Sequence, residues 1–107
     1  MQTASNCSEN EQFSRTIKLI GTDNVQLLNN SKIAVFGLGG VGSYVVEALV
    51  RAGVGSFILI DSDTICESNI NRQLIALHST LGRAKVEVEK ERIMDINPKA
   101  KVETHKL

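Results

Sequence analysis

The spacing of apolar positions changes several times along this chain, and each change predicts a different element. Between Glu11 and Gly21, Phe13, Ile17 and Ile20 fall at helical spacing, and Gly21 is suited to stop the helix. Thr22 opens a second short helix carrying Leu27 and Leu28, ended by Asn29-Asn30. The run Ile33-Ala-Val-Phe36 is continuously apolar, which predicts a strand buried on both faces. A glycine turn follows. From Val41 to about Ala52 the spacing is helical again, with Val45, Val46 and Leu49 expected against a sheet, until Gly53 and Gly55 break it. Phe57-Ile-Leu-Ile60 predicts a second buried strand that ends at Asp61. Residues 62–78 are polar and irregular. Gly82 and Lys85 open a charged helix to about Met94, Ile93 and Ile96 extend its apolar stripe, and Asn97-Pro98 ends it. Lys101-Val-Glu-Thr104 reads as the start of a third strand.

This order predicts an α/β fold, a Rossmann-like parallel sheet built on a βαβ unit with helices before it. Residues 1–10 are polar and read as a disordered tail, leaving residues 11–107 as the folded part. The chain stops as the third strand begins, so residues 11–107 are expected to be the N-terminal part of a longer nucleotide-binding domain. Composition narrows the partners. Twelve basic and twelve acidic side chains cancel, so no broad field draws the chain to nucleic acid or anionic lipid, and any such contact must be local. Tryptophan is absent and aromatics are sparse, which argues against a base-stacking surface. Cys7 and Cys66 form no Cys-x-x-Cys pair. With no apolar signal segment and no run near the roughly 20 apolar residues of a membrane span, a reduced, cytoplasmic setting is expected. Membrane attachment through a later segment stays open.

The chemistry begins at Gly37-Leu-Gly-Gly-Val-Gly42, a G-x-G-x-x-G set between a strand and a helix. Glycines let the backbone turn sharply and approach an anion closely. The helix start offers free N–H groups and the positive end of its dipole. Asp61 ends the second strand nineteen residues after Gly42, where a dinucleotide fold keeps the acid that holds a ribose. NAD and ATP both carry such a ribose, so these features alone fit a dehydrogenase as well as a nucleotidyl enzyme. Residues 63–85 shift the balance to ATP. A polar loop with Asn69, Arg72 and Gln73, followed by Lys85, suits attack on a triphosphate: arginine offers a fork and lysine a point charge, and both stabilise charge building on phosphate. Taken singly, Arg72 reads equally well as a surface arginine, and Lys85, in a Lys- and Glu-rich helix, reads better as a surface lysine than as a ligand. Only the ordered set carries weight.

Together, Gly37-Leu-Gly-Gly-Val-Gly-Ser43, Asp61-Ser-Asp63, Asn69-Ile-Asn-Arg-Gln73, Gly82-Arg-Ala-Lys85 and Phe13-Ser-Arg-Thr16 resemble the E1-like adenylating enzymes, the HesA/MoeB/ThiF group. Within it, Phe13-Ser-Arg-Thr-Ile-Lys-Leu-Ile-Gly21, Ala76-Leu-His-Ser-Thr80 and Glu91-Arg-Ile-Met-Asp-Ile-Asn-Pro98 look like the tRNA threonylcarbamoyladenosine dehydratase branch. The resemblance implies ATP at the glycine turn, bound by Gly37, Gly39, Gly40 and Gly42. It implies Asp61 on the ribose, Asp63 beside it or on the metal side, and Asn69, Arg72 and Lys85 at the phosphates. Arg15 resembles an arginine that crosses a homodimer interface into the partner's ATP site, which makes Arg15, Arg72 and Lys85 the expected catalytic cations. The implied reaction is attack of a tRNA-borne threonylcarbamoyl carboxylate on the α-phosphate, followed by ring closure and loss of AMP. The family's magnesium-binding Asp is expected beyond Leu107. The alternative within the family is an adenylating activator of a sulfur-carrier or ubiquitin-like protein, and outside it an NAD-dependent dehydrogenase. Cys66 and His78 need no catalytic role in this chemistry; a substrate contact by His78 stays open.

Overall fold

The structure, a computed structural model, describes residues 9–107. Residues 1–8, most of the expected tail and Cys7 with it, lie outside the described residues, and Glu9 and Asn10 belong to a 3-10 helix, Glu9–Phe13. That helix leads into α1 (Ser14–Ile20) and α2 (Thr22–Asn29). Gly21 joins the two, its N–H donating to the Ile17 carbonyl at 2.8 Å. Then come β1 (Lys32–Phe36), α3 (Gly40–Ala52), β2 (Ser56–Ile60), α4 (Lys85–Ile96) and β3 (Lys101–His105).

The strands form one parallel sheet in the order β1-β2-β3. Register sets Ile33, Phe57 and Val102 side by side, and next to them Val35, Leu59 and Thr104. The apolar members of these rows share the core with Val46 and Val50 of α3 and Val86 and Ile93 of α4. Both helices cover the same face because successive parallel crossovers of one hand, running in one direction along the sheet, place their helices on one side. Within this stretch of chain only one face of β1, expected to be buried on both, is covered. Val35 is buried, but Phe36, on the opposite side of the pleat, is 77% exposed and Ala34 is exposed with it.

The stripe of α3 also needs correction. Its buried positions are Ser43, Val46 and Val50, spaced three and four apart, whereas Val45 is exposed and Leu49 half-buried. An apolar stretch as dense as Val45-Val46 leaves two stripes open, and the docking of α4 selects one. The α3–α4 seam is held by Arg92, whose Nε and Nη2 donate to Glu47 at 2.6 and 3.0 Å; Arg51 adds a bond to Glu47 at 2.8 Å. These guanidinium groups, Arg92 first, hold the Glu47 carboxyl below the usual carboxylate range. No helix among the described residues is long and apolar enough to cross a membrane.

Candidate nucleotide site

The glycine turn lies at the C-terminal ends of the strands, where an open parallel sheet presents its crevice. Gly37 has a φ of 91°, left-handed backbone that a side chain would strain. A Cβ on Gly42 would stand 1.9 Å from the Gly37 carbonyl oxygen, so the turn closes only around a glycine there. Gly39, the N-cap of α3, brings no side chain to cap the helix. The first helical bond runs from Ser43 N–H to Gly39 O at 3.1 Å, and Ser43 Oγ donates to the same carbonyl at 2.9 Å. The amides of Gly40, Val41 and Gly42 are thus left to an external acceptor, at the positive end of a 13-residue helix.

Asp61 braces this turn. Leu38 N–H donates to its Oδ2 at 2.6 Å and Asp63 N–H to its Oδ1 at 2.7 Å. A carboxylate accepts about four hydrogen bonds, so two positions remain for ribose hydroxyls. The polar loop is better anchored than its composition suggested. Ile65, Ile75 and Ala76 are buried at 2%, 1% and 2% exposure. Thr80 Oγ1 donates to the Ile75 carbonyl at 2.7 Å and accepts the Leu77 N–H at 2.9 Å. The two ends of the loop run antiparallel, Ile65 N–H to Arg83 O at 2.9 Å and Lys85 N–H to Asp63 O at 3.1 Å.

That pairing buries Lys85 at 5% exposure, with its Nζ 3.9 Å from Asp63 Oδ2. It sits at the first position of α4, on the side that packs, so the alternative of a solvated helix lysine does not hold. Arg72 lies over the turn, its Cγ 3.9 Å from where a Gly40 Cβ would stand, while Nη1 donates to Ser68 O at 3.0 Å and Asn71 Oδ1 at 2.8 Å. Asn69 is buried and accepts the Cys66 N–H on its Oδ1 at 2.9 Å, which shapes the 3-10 turn Glu67–Asn69. His78 opens a second such turn, His78–Thr80, and is exposed, as is Cys66.

Arg15 stands apart. The neighbouring Phe13 ring lies 3.7 Å from the Cβ position of Gly53, beyond the C-terminal end of α3, whereas the glycine turn is at its N-terminal end. Thirteen helical residues separate the two by about 20 Å, and Arg15 is exposed on α1. The structure therefore gathers the turn, Asp61, Asp63, Asn69, Arg72 and Lys85, and leaves Arg15 out. Among the described residues no group of three or more His, Cys, Asp or Glu converges as a metal site, and the residues present make no magnesium site on their own.

A parallel sheet with a bare helix N-terminus, a strand-end aspartate, an arginine whose stem lies over the turn and a lysine buried beside Asp63 defines a nucleotide-binding α/β domain. The ThiF family model matches residues 13–107, and the chain belongs to that family. It is 52% identical over 91 residues to a tRNA threonylcarbamoyladenosine dehydratase of Bacillus subtilis, a match covering 85% of this chain and 36% of the relative. It is 45% identical over 78 residues to the adenylyltransferase and sulfurtransferase UBA4 of Lodderomyces elongisporus, 73% of this chain and 17% of the relative. The fold superposes on the Escherichia coli tRNA N6-threonylcarbamoyladenosine dehydratase in complex with ATP, with a TM-score of 0.89, 43% identity, and coverage of 94% of this chain and 42% of that one. The chain thus spans little more than a third of the length of the Bacillus relative.

Proposed function

We propose that this chain carries the ATP-binding part of an enzyme that activates a carboxylate by adenylation, and that the carboxylate belongs to N6-threonylcarbamoyladenosine on a tRNA. The observation that carries the reading is the joint placement of uncapped N–H groups at Gly40–Gly42, the braced Asp61, Arg72 over the turn and the buried Lys85. The identity to the Bacillus dehydratase supports the choice of substrate.

In this mechanism the helix N-terminus holds phosphate oxygens, Asp61 holds the ribose, and Arg72 and Lys85 stabilise charge as the carboxylate attacks the α-phosphorus. The products of that step are an acyl-adenylate and pyrophosphate. The neighbouring carbamoyl group then closes the ring and expels AMP, for a net ATP-driven dehydration. A carboxylate is a poor electrophile until it bears such a leaving group, so positioning and charge stabilisation suffice and no side-chain nucleophile is required. Magnesium accompanies ATP in this reading, its ligand lying beyond Leu107. The setting is cytoplasmic.

The protein acts as a homodimer in this reading, with Arg15 serving the partner's site; the roughly 20 Å along α3 supports that assignment. Mixing Arg15→Ala with Arg72→Ala protein should restore part of the activity each variant lacks, because one site of the mixed dimer is then intact. Absence of rescue would keep Arg15 within its own subunit or outside catalysis. The similarity to UBA4 favours a second reading, activation of a sulfur-carrier or ubiquitin-like protein. Pyrophosphate exchange by the full-length protein separates them. Exchange that depends on threonylcarbamoylated tRNA is expected; exchange with a carrier protein and none with tRNA overturns the leading reading. NADH binding without ATP binding overturns both.

A further inference from the structure

The underside of the sheet, at the N-terminal ends of its strands, carries a cleft that the assigned roles leave unused. It encloses about 770 Å³ between Phe13, the end of α2, the start of β2 and the turn from α4 into β3, a size ordinary for a ligand site. Its walls are pinned. A Cβ on Gly55 would stand 2.1 Å from the Asn29 carbonyl oxygen, so the end of α2 rests directly on the start of β2. Across the cleft Asn97 is buried, and its Oδ1 accepts the Lys99 N–H at 3.1 Å while its carbonyl accepts the Ala100 N–H at 3.0 Å. Lys101 N–H then donates to Gly55 O at 2.9 Å. Gln12 ties down the third side, its Nε2 donating to Ile96 O at 2.7 Å.

The chemistry of the lining is one-sided. Asn29, Asn30 and Lys101 are exposed, and among the described residues their side chains make no hydrogen bond or ion pair. Among the described residues no Asp or Glu lines the cleft. Carboxamides offer donors and acceptors together, which suits ribose hydroxyls and base edges, and the ammonium groups of Lys99 and Lys101 suit the phosphates between them. An acidic peptide would use the lysines and leave the carboxamides idle. Beyond Gln12 a second hollow continues the surface, lined by Arg51, Arg92 and one acid, Asp95. Both arginines hold Glu47, yet Arg51 keeps 60% of its side chain exposed. The charges of the whole chain cancel, so a local concentration of this kind is what a nucleic-acid contact requires.

Position supplies a second argument. Phe13 lines the cleft with its ring at the C-terminal end of α3, and Arg15 lies two residues on. The glycine turn of the same subunit is at the other end of α3, about 20 Å away. In the homodimer reading Arg15 serves the partner's site, so the cleft comes to lie beside that site instead of its own. We propose that the cleft is an RNA-docking surface that holds the tRNA processed at the partner's glycine turn: Lys101 takes a phosphate, and Asn29 and Asn30 take the adjoining ribose or base edges. The inference rests on the tRNA and homodimer readings above and adds where the body of the substrate is held.

The test uses the full-length protein and a threonylcarbamoylated tRNA, with binding followed by fluorescence anisotropy and ATP titrated separately by calorimetry. At physiological ionic strength Lys101→Glu should weaken tRNA binding roughly tenfold and flatten the logarithmic salt dependence by about one, with ATP affinity changed less than about twofold. Lys90→Glu makes the same charge change on α4, outside the cleft, and should alter tRNA affinity less than about threefold. If Lys101→Glu melts too low to titrate, Lys101→Ala and Asn30→Ala are read in the same way. Mixed with Arg72→Ala protein, Lys101→Glu should turn over dilute tRNA with the wild-type KM, because its intact glycine turn then borrows the other subunit's cleft. Wild-type tRNA affinity in folded cleft variants, or an equal loss in Lys90→Glu, overturns the inference alone. Loss of carrier-protein binding in those variants with tRNA binding intact overturns it in favour of an acidic polypeptide. A raised KM that persists in the mixed dimers overturns the placement across subunits. A wild-type protein that binds no threonylcarbamoylated tRNA overturns the substrate reading, and this inference with it.

Discussion

The end of the sheet and the seam between α3 and α4 each hold an acid away from water, on opposite terms. Asp61 is half-buried and both of its oxygens accept backbone N–H groups, from Leu38 and from Asp63. Glu89 is 1% exposed and neither of its oxygens has a partner. Burial, reinforced by the negative Glu47 facing it from α3 and opposed by Arg92 on α4, pushes Glu89 up to about 7. The comparison separates two uses of a buried polar group. At the sheet end the hydrogen bonds shape the turn, and the desolvation is offset. In the seam no hydrogen bond offsets it and Arg92 does so only in part, so Glu89 is carried as a neutral acid or at a cost.

The largest effect should come from breaking the braced end. Gly42→Ala must displace the Gly37 carbonyl, because its Cβ would lie 1.9 Å from that oxygen. A loss of about 3 kcal/mol or more in urea unfolding is expected, with ATP binding abolished. Gly40→Ala is its control. There the new Cβ meets Arg72 at 3.9 Å, an ordinary contact. Stability should change by less than about 1 kcal/mol, so any loss of ATP binding reports obstruction of the site itself.

In the seam, the sign of the pH dependence follows from the upward shift of Glu89. Below about 4.5 the group is protonated in both the folded and the unfolded chain. As pH rises from there toward 7, the unfolded chain ionises while the folded one keeps its proton, so stability falls. The expected loss is about 3 kcal/mol between pH 4.5 and 7, levelling off above. The lowered Glu47 acts below 4.5 and loses stability as pH falls, outside that window. Urea midpoints at pH 5 and pH 8 should differ in the wild type and converge in Glu89→Leu. Equal midpoints in the wild type would mean that Glu89 has a partner in solution.

Asp61→Asn sharpens the other side of the comparison. The amide keeps one acceptor but turns a donor toward either Leu38 or Asp63 N–H, so about 2 kcal/mol of stability should be lost along with ATP affinity. Circular dichroism melts and an ATP titration check both. The smallest effect belongs to the Arg83–Glu91 pair, which is solvent-exposed on both sides. Arg83→Ala should leave the urea midpoint nearly unchanged, and added salt should erase any difference.

Much of the fold was legible because it follows from local pattern. The apolar runs at 33–36 and 57–60, the glycine turn between strand and helix, and the Asn97-Pro98 stop all appear as read. The remaining points share a cause. Val45 in place of Val50 on the packed stripe of α3, and the burial of Lys85 at the start of α4, each require knowing which neighbour packs on which side. In the loop, Ile65, Ile75 and Ala76 were a usable signal, since buried apolar residues in a polar stretch mark anchors rather than free chain. Nothing in the order of residues marks Asn69 as a cap for Cys66, or turns the Gln73 amide oxygen away from solvent.

By itself, the sequence determined that strand, turn and helix succeed one another around Gly37-Leu-Gly-Gly-Val-Gly42, because glycine backbone freedom and apolar periodicity act within a few residues. It also determined which donors and acids stand in order behind that turn. The tertiary structure alone decided which of them meet. Antiparallel pairing of residues 63–65 with 82–85 draws Lys85 inward, and the 69–73 turn settles over Gly39 and Gly40. Arg15, meanwhile, is left at the far end of α3. Those distances are set by packing between segments far apart in the chain, where burial and hydrogen-bond satisfaction outweigh local preference.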